Sequence, residues 1–319
     1  MSGISYFEAV VVGALQGVSE LFPVSSLGHS VLLPALVGGQ WAADLSMGKD
    51  SAYLAVLVAM HVATALALVA FFWRDWYRVL TGLVTSIRYR RIDTSDERLA
   101  WLLVLATIPV GLAGLLLEST VRDYLGLPIP AAIFLTLNGI VLYTVERLTR
   151  PRTTASAHRT SSSAQHTIDF SAEETMPLRV LTDGELSDRR LARLGTGSAI
   201  AIGAAQILAL LPGISRSGIT MVAGLRKGLS HEDAARFAFL LATPVILAAG
   251  VLKLPTLFTP DHHAVLGPAL AGSLVAGVAS YLSVRFLTSY FETRTLTPFA
   301  IYCTLAGLGS LLYLTLRAG

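Results

Sequence analysis

Four ionisable side chains fall inside otherwise apolar stretches of this 319-residue chain: Glu20, His29, His61 and Arg216. Charge in apolar surroundings is costly, so residues kept there usually carry chemistry or hold a charged ligand. Three of the four lie in two short segments rich in hydroxyls. The first reads Gln16-Gly-Val-Ser-Glu20-Leu-Phe-Pro23-Val-Ser25-Ser26-Leu-Gly28-His29. Gln16 and Glu20 are four apart and share one face of a short helix. Pro23 ends that helix, and two serines and a histidine follow at the turn. A hydroxyl becomes a nucleophile beside a base, with a third group to orient or polarise the pair. Ser25 and Ser26, His29 and Glu20 supply those three types. Read as structure only, the serines would cap a helix and Glu20 would pair with His29. Desolvation largely offsets the attraction in such a pair, so an apolar protein gains little from it.

The second segment reads Leu211-Pro212-Gly213-Ile214-Ser215-Arg216-Ser217-Gly218-Ile219-Thr220. Gly213 and Gly218 let the backbone approach a ligand closely. Ser215, Ser217, Thr220 and one guanidinium surround the turn at the start of a half-helix. Backbone N–H groups at a helix start, joined by arginine, make an anion site, and arginine matches phosphate oxygens two at a time. The chemistry indicated is binding of a phosphate or carboxylate. His61 either lines the same site or hydrogen-bonds between helices, the commoner use of a histidine within a span.

The elements that must position these residues follow from composition. Fifty-three per cent of residues are hydrophobic and 14% charged, whereas a soluble domain carries about a quarter charged residues. Six apolar runs reach the roughly 20 residues that a membrane-crossing helix needs: Ala52–Trp73, Leu99–Leu117, Leu127–Val145, Phe237–Leu252, Ala264–Val284 and Pro298–Leu316. Ile4–Leu36 and Gly195–Leu225 are apolar but broken by Pro, Gly, Ser and charge. Broken segments at corresponding places in two halves predict re-entrant hairpins around a binding site. The halves share words: Gly13-Ala14-Leu15-Gln16 returns as Gly203-Ala204-Ala205-Gln206, each followed by a proline and, three residues later, a serine. The expected fold is an all-α polytopic membrane protein, an inverted repeat of one re-entrant helical hairpin plus three transmembrane helices. Its parts are residues 1–149, a polar linker over 150–194, and the second repeat over 195–319.

Charge distribution sets the orientation. Arg74, Arg78, Arg88, Arg90 and Arg91 lie in the loop after the first span, and the polar segment from Arg147 to Arg193 adds more arginines on the same side. The other side carries little beyond Lys49, Arg122, Lys253 and Arg317. By the positive-inside rule the basic side is cytoplasmic, and the linker there reads as partly disordered. The single cysteine, Cys303, excludes an intrachain disulfide. No dinucleotide glycine motif, Walker loop, His-Glu-x-x-His or Cys-x-x-Cys pair occurs, and nothing calls for nucleic acid.

The two motifs resemble those of the bacterial undecaprenyl-pyrophosphate phosphatase family, the bacitracin-resistance type. Gln16, Glu20, Ser25, Ser26 and His29 match its first motif; Pro212, Gly213, Ser215, Arg216, Ser217, Gly218 and Thr220 match its second. Weaker similarity runs over nearly the whole chain. Gln16 stands where many members have Glu, and His61 stands at what resembles a family glutamine. The resemblance implies hydrolysis of undecaprenyl pyrophosphate to the monophosphate carrier of cell-wall synthesis. It further implies a bacterial plasma-membrane location and a site open to the outer face. A polyprenyl pyrophosphate is then the substrate and membrane lipids the surroundings; a homo-oligomer is left open. In the expected mechanism Ser26 attacks, His29 acts as base and later acid, and Glu20 orients the imidazole. Direct attack by His29 is the other arrangement. Arg216 binds phosphate with Ser215, Ser217, Thr220, Gly213, Gly218 and Ser25, and Gln16, His61 and Gln206 line the site. A Mg²⁺ or Ca²⁺ ion would sit on Glu20 with Gln16, its need weakened by that glutamine. The alternative reading is a carrier of undecaprenyl phosphate using the same anion site.

Overall fold

The computed structural model describes residues 4–45, 51–149 and 182–318. Lys49 and most of the linker, residues 150–181, lie outside the described residues, as does the side chain of Arg122. The described residues form helices and connecting turns. In chain order the α-helices are α1 (Tyr6–Ser19), α2 (Ser26–Val37), α3 (Gly39–Asp44), α4 (Ala52–Phe71), α5 (Trp73–Tyr89), α6 (Ser95–Leu125) and α7 (Pro128–Thr149). They continue with α8 (Asp183–Ala192), α9 (Thr196–Ala205), α10 (Arg216–Arg226), α11 (His231–Lys253), α12 (Leu266–Thr293) and α13 (Thr297–Ala318). Six of them, α4, α6, α7, α11, α12 and α13, are long and apolar enough to cross a bilayer, and each contains most of one expected span. Their starts carry helix-entry chemistry. Ser51 and Ser230, for instance, accept the N–H groups of Leu54 and Asp233 at 3.1 and 3.0 Å, pairing donors that a helix start leaves free. Leu112, Leu115, Leu270, Leu274, Leu305 and Leu312 point outward and exposed, as a hydrocarbon solvent requires.

The two broken segments are hairpins. The first is α1, a turn and α2. The second is α9, a 3₁₀ turn over Gln206–Leu210, and α10. Each hairpin packs on a span of the other half: α1 on α12 and α9 on α6. Small residues permit that approach. A Cβ added at Gly17 would come within 2.7 Å of the Ala279 Cβ, and one at Gly203 within 2.6 Å of the Ala106 carbonyl carbon. The spans pair in the same exchanged manner, α4 with α11 and α7 with α13. At the end of α7, Glu146 meets His231 at the start of α11, 2.8 Å apart. The second set of three spans therefore begins on the side where the first set ended, and runs the opposite way.

Two expectations are corrected. The arginine-bearing stretch after the first span is not a loop but α5, an amphipathic helix. Trp73, Tyr77, Leu80, Val84 and Ile87 recur every three or four residues and form one exposed apolar stripe, while Val79, Gly82 and Ser86 face inward. Arg74, Arg78 and Arg88 interrupt the segment, so it holds no continuous apolar run, only the period. The end of the segment read as a linker, residues 183–192, is also a docked helix. Arg78 of α5 meets Asp188 of α8 at 2.6 Å, and Arg236 of α11 meets the same carboxylate at 2.9 Å.

Candidate active site

The two hairpins meet at their turns. Gly28 and Gly213 face each other so closely that a Cβ on Gly28 would lie 2.8 Å from the Gly213 Cα. Gly213 has φ 111°, a conformation side-chain-bearing residues rarely adopt. Ser25, at φ 70°, is a serine held in the left-handed region, a strained arrangement that surrounding contacts must enforce. Those contacts are clear: the Ser25 hydroxyl accepts the N–H of Gly28 in its own hairpin and of Gly213 in the other, both at 3.2 Å.

Around this junction the cluster is built on Glu20, the C-cap of α1 and a buried residue. Gln16 Nε2, one turn earlier, donates to Glu20 Oε2 at 3.1 Å. Ser26, the first residue of α2, donates its hydroxyl to the same oxygen. His61 Nε2 from α4 lies 3.3 Å from it, and the other ring nitrogen is held by the Leu57 carbonyl at 2.8 Å. Arg216 Nη2, at the first position of α10, stands 3.5 Å from Glu20 Oε1. Four residues from three separate stretches of chain thus converge on one carboxylate.

His29 is turned elsewhere. Its ring bonds the Ser25 carbonyl and the Tyr302 hydroxyl, each at 2.7 Å, and stacks on the Tyr302 ring. Among the described contacts it touches neither Ser26 nor Glu20. The imidazole beside the carboxylate is that of His61.

The second motif divides its labour. Ser215 caps α10 by accepting the Gly218 N–H at 3.1 Å. The Ser217 hydroxyl donates to the Phe22 carbonyl at 3.2 Å, and Thr220 donates back to the Arg216 carbonyl at 2.7 Å. These hydroxyls hold the turn together, so the free donors lie elsewhere. Among the described residues Arg216 Nη1 is buried with no partner, and so is Gln206 Nε2. The N–H groups of Arg216 and Ser217 likewise find no protein acceptor among the described contacts. A guanidinium edge beside two helix-start amides is a seat for an anion. An unpaired buried donor costs about 1–3 kcal/mol, so an oxyanion arriving here recovers energy left open in the free protein.

A divalent cation fits this donor set poorly. Calcium takes six to eight oxygens, and magnesium is held by one or two carboxylates plus substrate phosphate. Glu20 is the single carboxylate, and Gln16, Ser26, His61 and Arg216 already occupy both its oxygens with donors. Among the described residues no group of three His, Cys, Asp or Glu side chains could hold a metal. The one unsatisfied oxygen nearby is Gln16 Oε1.

Two residues were missed by sequence reasoning. Asn138, the only amide in the span Leu127–Val145, is 2% exposed. Its Nδ2 donates to the Pro23 carbonyl at 3.2 Å, and its Oδ1 accepts the Ser215 N–H at 3.0 Å, so one side chain ties both turns to α7. A lone amide in an apolar span was the available signal. Tyr302 gave none, since tyrosines are ordinary in spans. Replacing Asn138 by leucine strips the buried Ser215 N–H of its partner and leaves the Pro23 carbonyl only the Cys303 thiol at 3.6 Å, an expected loss of about 1–3 kcal/mol. The thermal midpoint in detergent should fall by several degrees and turnover with it; an unchanged midpoint would show that the turns hold without the tie.

Comparison with known proteins bears on what such a cluster is for. A family model described as bacitracin resistance protein BacA matches residues 9–309. A protein of Mycolicibacterium paratuberculosis named undecaprenyl-diphosphatase is 61% identical over 98% of this chain and 99% of its own length. Undecaprenyl-diphosphatase 1 of Frankia casuarinae is 50% identical over 96% of this chain and 97% of its own. Undecaprenyl-diphosphatase 1 of Burkholderia pseudomallei is 42% identical over 96% and 95%.

Proposed function

This chain belongs to the bacitracin resistance protein BacA family, and from that premise and the cluster on Glu20 we propose how it works. It is an integral membrane phosphatase that hydrolyses undecaprenyl pyrophosphate to undecaprenyl phosphate and inorganic phosphate. It thereby recycles the lipid carrier of cell-wall synthesis and gives bacitracin resistance. The observation that carries the mechanism is the Ser26 hydroxyl bonded to Glu20, with the unpartnered edge of Arg216 on the other side of the same carboxylate.

The polyprenyl tail lies along the apolar spans and the pyrophosphate enters between the hairpin turns. Arg216 Nη1 and the amides at the start of α10 take the oxygens of the terminal phosphoryl group. Ser26 Oγ attacks its phosphorus while Glu20 Oε2 accepts the hydroxyl proton. The bond to the bridging oxygen breaks, and polyprenyl monophosphate leaves with the electron pair. Water then attacks the seryl phosphate, Glu20 returns its proton to Ser26, and inorganic phosphate departs. In phosphoryl transfer most of the catalysis is positioning and charge stabilisation. Those tasks fall to Arg216 and to the contacts that fix Glu20, Gln16 and His61 included. His29, paired with Tyr302 and Ser25, supports the turn that presents Ser26. The membrane is the bacterial plasma membrane, with the basic ends of the spans cytoplasmic and the site open to the outer face.

The test is phosphate release from a polyprenyl pyrophosphate by the purified protein in detergent, wild type beside Ser26→Ala. A well-folded wild type that released none would refute the reading and favour carriage of the monophosphate. The metal question has its own prediction. With glutamine at position 16, EDTA should leave wild-type turnover nearly unchanged. Gln16→Glu supplies a second carboxylate and should bind Ca²⁺ measurably by calorimetry. A wild type silenced by EDTA and restored by Mg²⁺ or Ca²⁺ would contradict this.

A further inference from the structure

A cavity of ≈ 950 Å³, none of whose lining residues belongs to the cluster on Glu20, lies where α6, α8 and the start of α9 meet. Its wall carries Arg98, Arg189 and Arg193 above Trp101, Leu102 and Leu105. The arginines are exposed, and none forms an ion pair among the described residues. Arg98 makes only a long bond, 3.4 Å, to the Leu194 carbonyl. The single carboxylate in the lining, Asp93, is taken up by Arg91 at 2.7 Å. Thr196, the first residue of α9, also faces the cavity, and Gly195 caps that helix with no side chain. Its leading amides therefore add to the positive field.

The position of the cavity says what could fill it. Ser95, Asp96, Glu97 and Arg98 open α6 with polar chemistry, and the apolar run begins at Leu99. The cavity thus straddles the boundary between water and hydrocarbon. The exposed stripe of α5 lies on the same side of the molecule and suits a helix resting in the interface plane. Three guanidinium groups that form no ion pair among the described residues, beside an indole and two leucines, match a phosphate carried on an apolar chain. Basic pockets between spans on the cytoplasmic side are where anionic headgroups bind.

We infer that this cavity is a binding site for an anionic phospholipid of the cytoplasmic leaflet, its headgroup phosphate on Arg98, Arg189 and Arg193 and one acyl chain along Trp101, Leu102 and Leu105. The site has a structural consequence. Helix α8, which carries Arg189 and is capped at its end by Arg193, is tied to α11 by Ser187 and Arg190 on Asp233, at 2.5 and 2.7 Å. Helix α11 packs on α10, the carrier of Arg216. A bound headgroup fastens α8 to α6 and so braces the support of the phosphate-binding turn.

The experiment uses the full chain in neutral detergent, with the thermal midpoint and native mass spectrometry as readouts. The probes are phosphatidylglycerol, phosphatidylcholine and inorganic phosphate. Phosphatidylglycerol should raise the midpoint and remain bound in the gas phase, and the other two should do neither. In Arg189→Ala/Arg193→Ala the affinity for phosphatidylglycerol should fall about 30-fold, at about 1 kcal/mol for each arginine near an anionic lipid. Hydrolysis in lipid-free detergent should stay at the wild-type rate. Arg193→Gln, a milder change that keeps the fold, should give a partial loss. Equal stabilisation by phosphatidylcholine would overturn the headgroup assignment, and full stabilisation by inorganic phosphate would overturn the lipid. Undiminished phosphatidylglycerol binding in the double variant would overturn the site itself.

Discussion

Replacing Ser26 by alanine should lower kcat by at least about 10³-fold while leaving the thermal midpoint within a degree or two, since a nucleophile removed from an activated pair takes most of the catalysis with it. The alanine keeps the helix start, because the cap of α2 is Ser25 and not Ser26. It removes the one hydroxyl bonded to Glu20. Ser25→Ala makes the informative contrast. That hydroxyl bridges Gly28 and Gly213, so its loss should loosen the junction, lower the midpoint and weaken turnover without abolishing a chemical step. Phosphate release under single-turnover conditions separates the two. If Ser26→Ala keeps most of its rate, attack belongs to His29 or to water, and the bond from Ser26 to Glu20 serves only to orient the carboxylate. His29→Ala then decides between those two, because a water nucleophile survives the loss of an imidazole that faces Tyr302.

The membrane spans were legible because each is a long statement repeated over about 20 residues. Apolar runs such as Ala52–Trp73 cannot be anything else in a chain with so little charge. The hairpins were legible for the opposite reason, since Pro23, Pro212 and their glycines interrupt runs that should continue. What could not be read was pairing across the fold. Glu20 and His29 share a segment, and proximity in sequence suggested an imidazole bonded to that carboxylate. The turn at Ser25 rotates His29 away, and His61, far off in sequence, fills the place. The serines and threonine around Arg216 looked like a phosphate cradle. Helix starts also need such residues, and only coordinates show that Ser215 caps, Ser217 reaches Phe22 and Thr220 bonds backward. Residue type alone cannot separate a ligand from a brace when both tasks want the same hydroxyl.

In the proposed mechanism that division of labour makes Arg216 the residue on which phosphate binding chiefly depends. Arg216→Ala should cost roughly 10³-fold in kcat/KM, about 4 kcal/mol, comparable to other arginines that stabilise a transferring phosphoryl group. The guanidinium faces two ways. Nη2 stands 3.5 Å from Glu20, and Nη1 is buried without a partner. In the proposed mechanism a phosphate bound at Nη1 is held beside Glu20, the proposed base for Ser26, by one rigid planar group. Lysine offers a single point charge on a flexible stem and cannot reproduce that spacing, so Arg216→Lys should recover binding far better than turnover. Its KM should approach wild type while kcat stays about 10²-fold low. Arg216→Ala leaves Glu20, a buried carboxylate, to Gln16, Ser26 and His61. Such a loss destabilises a buried pair, so the thermal midpoint is read beside the kinetics. Arg216→Lys keeps the countercharge and should hold the midpoint. An Arg216→Lys enzyme with near-normal kcat would show that charge alone suffices, and that the fork of the guanidinium is not what aligns the phosphoryl group with Ser26.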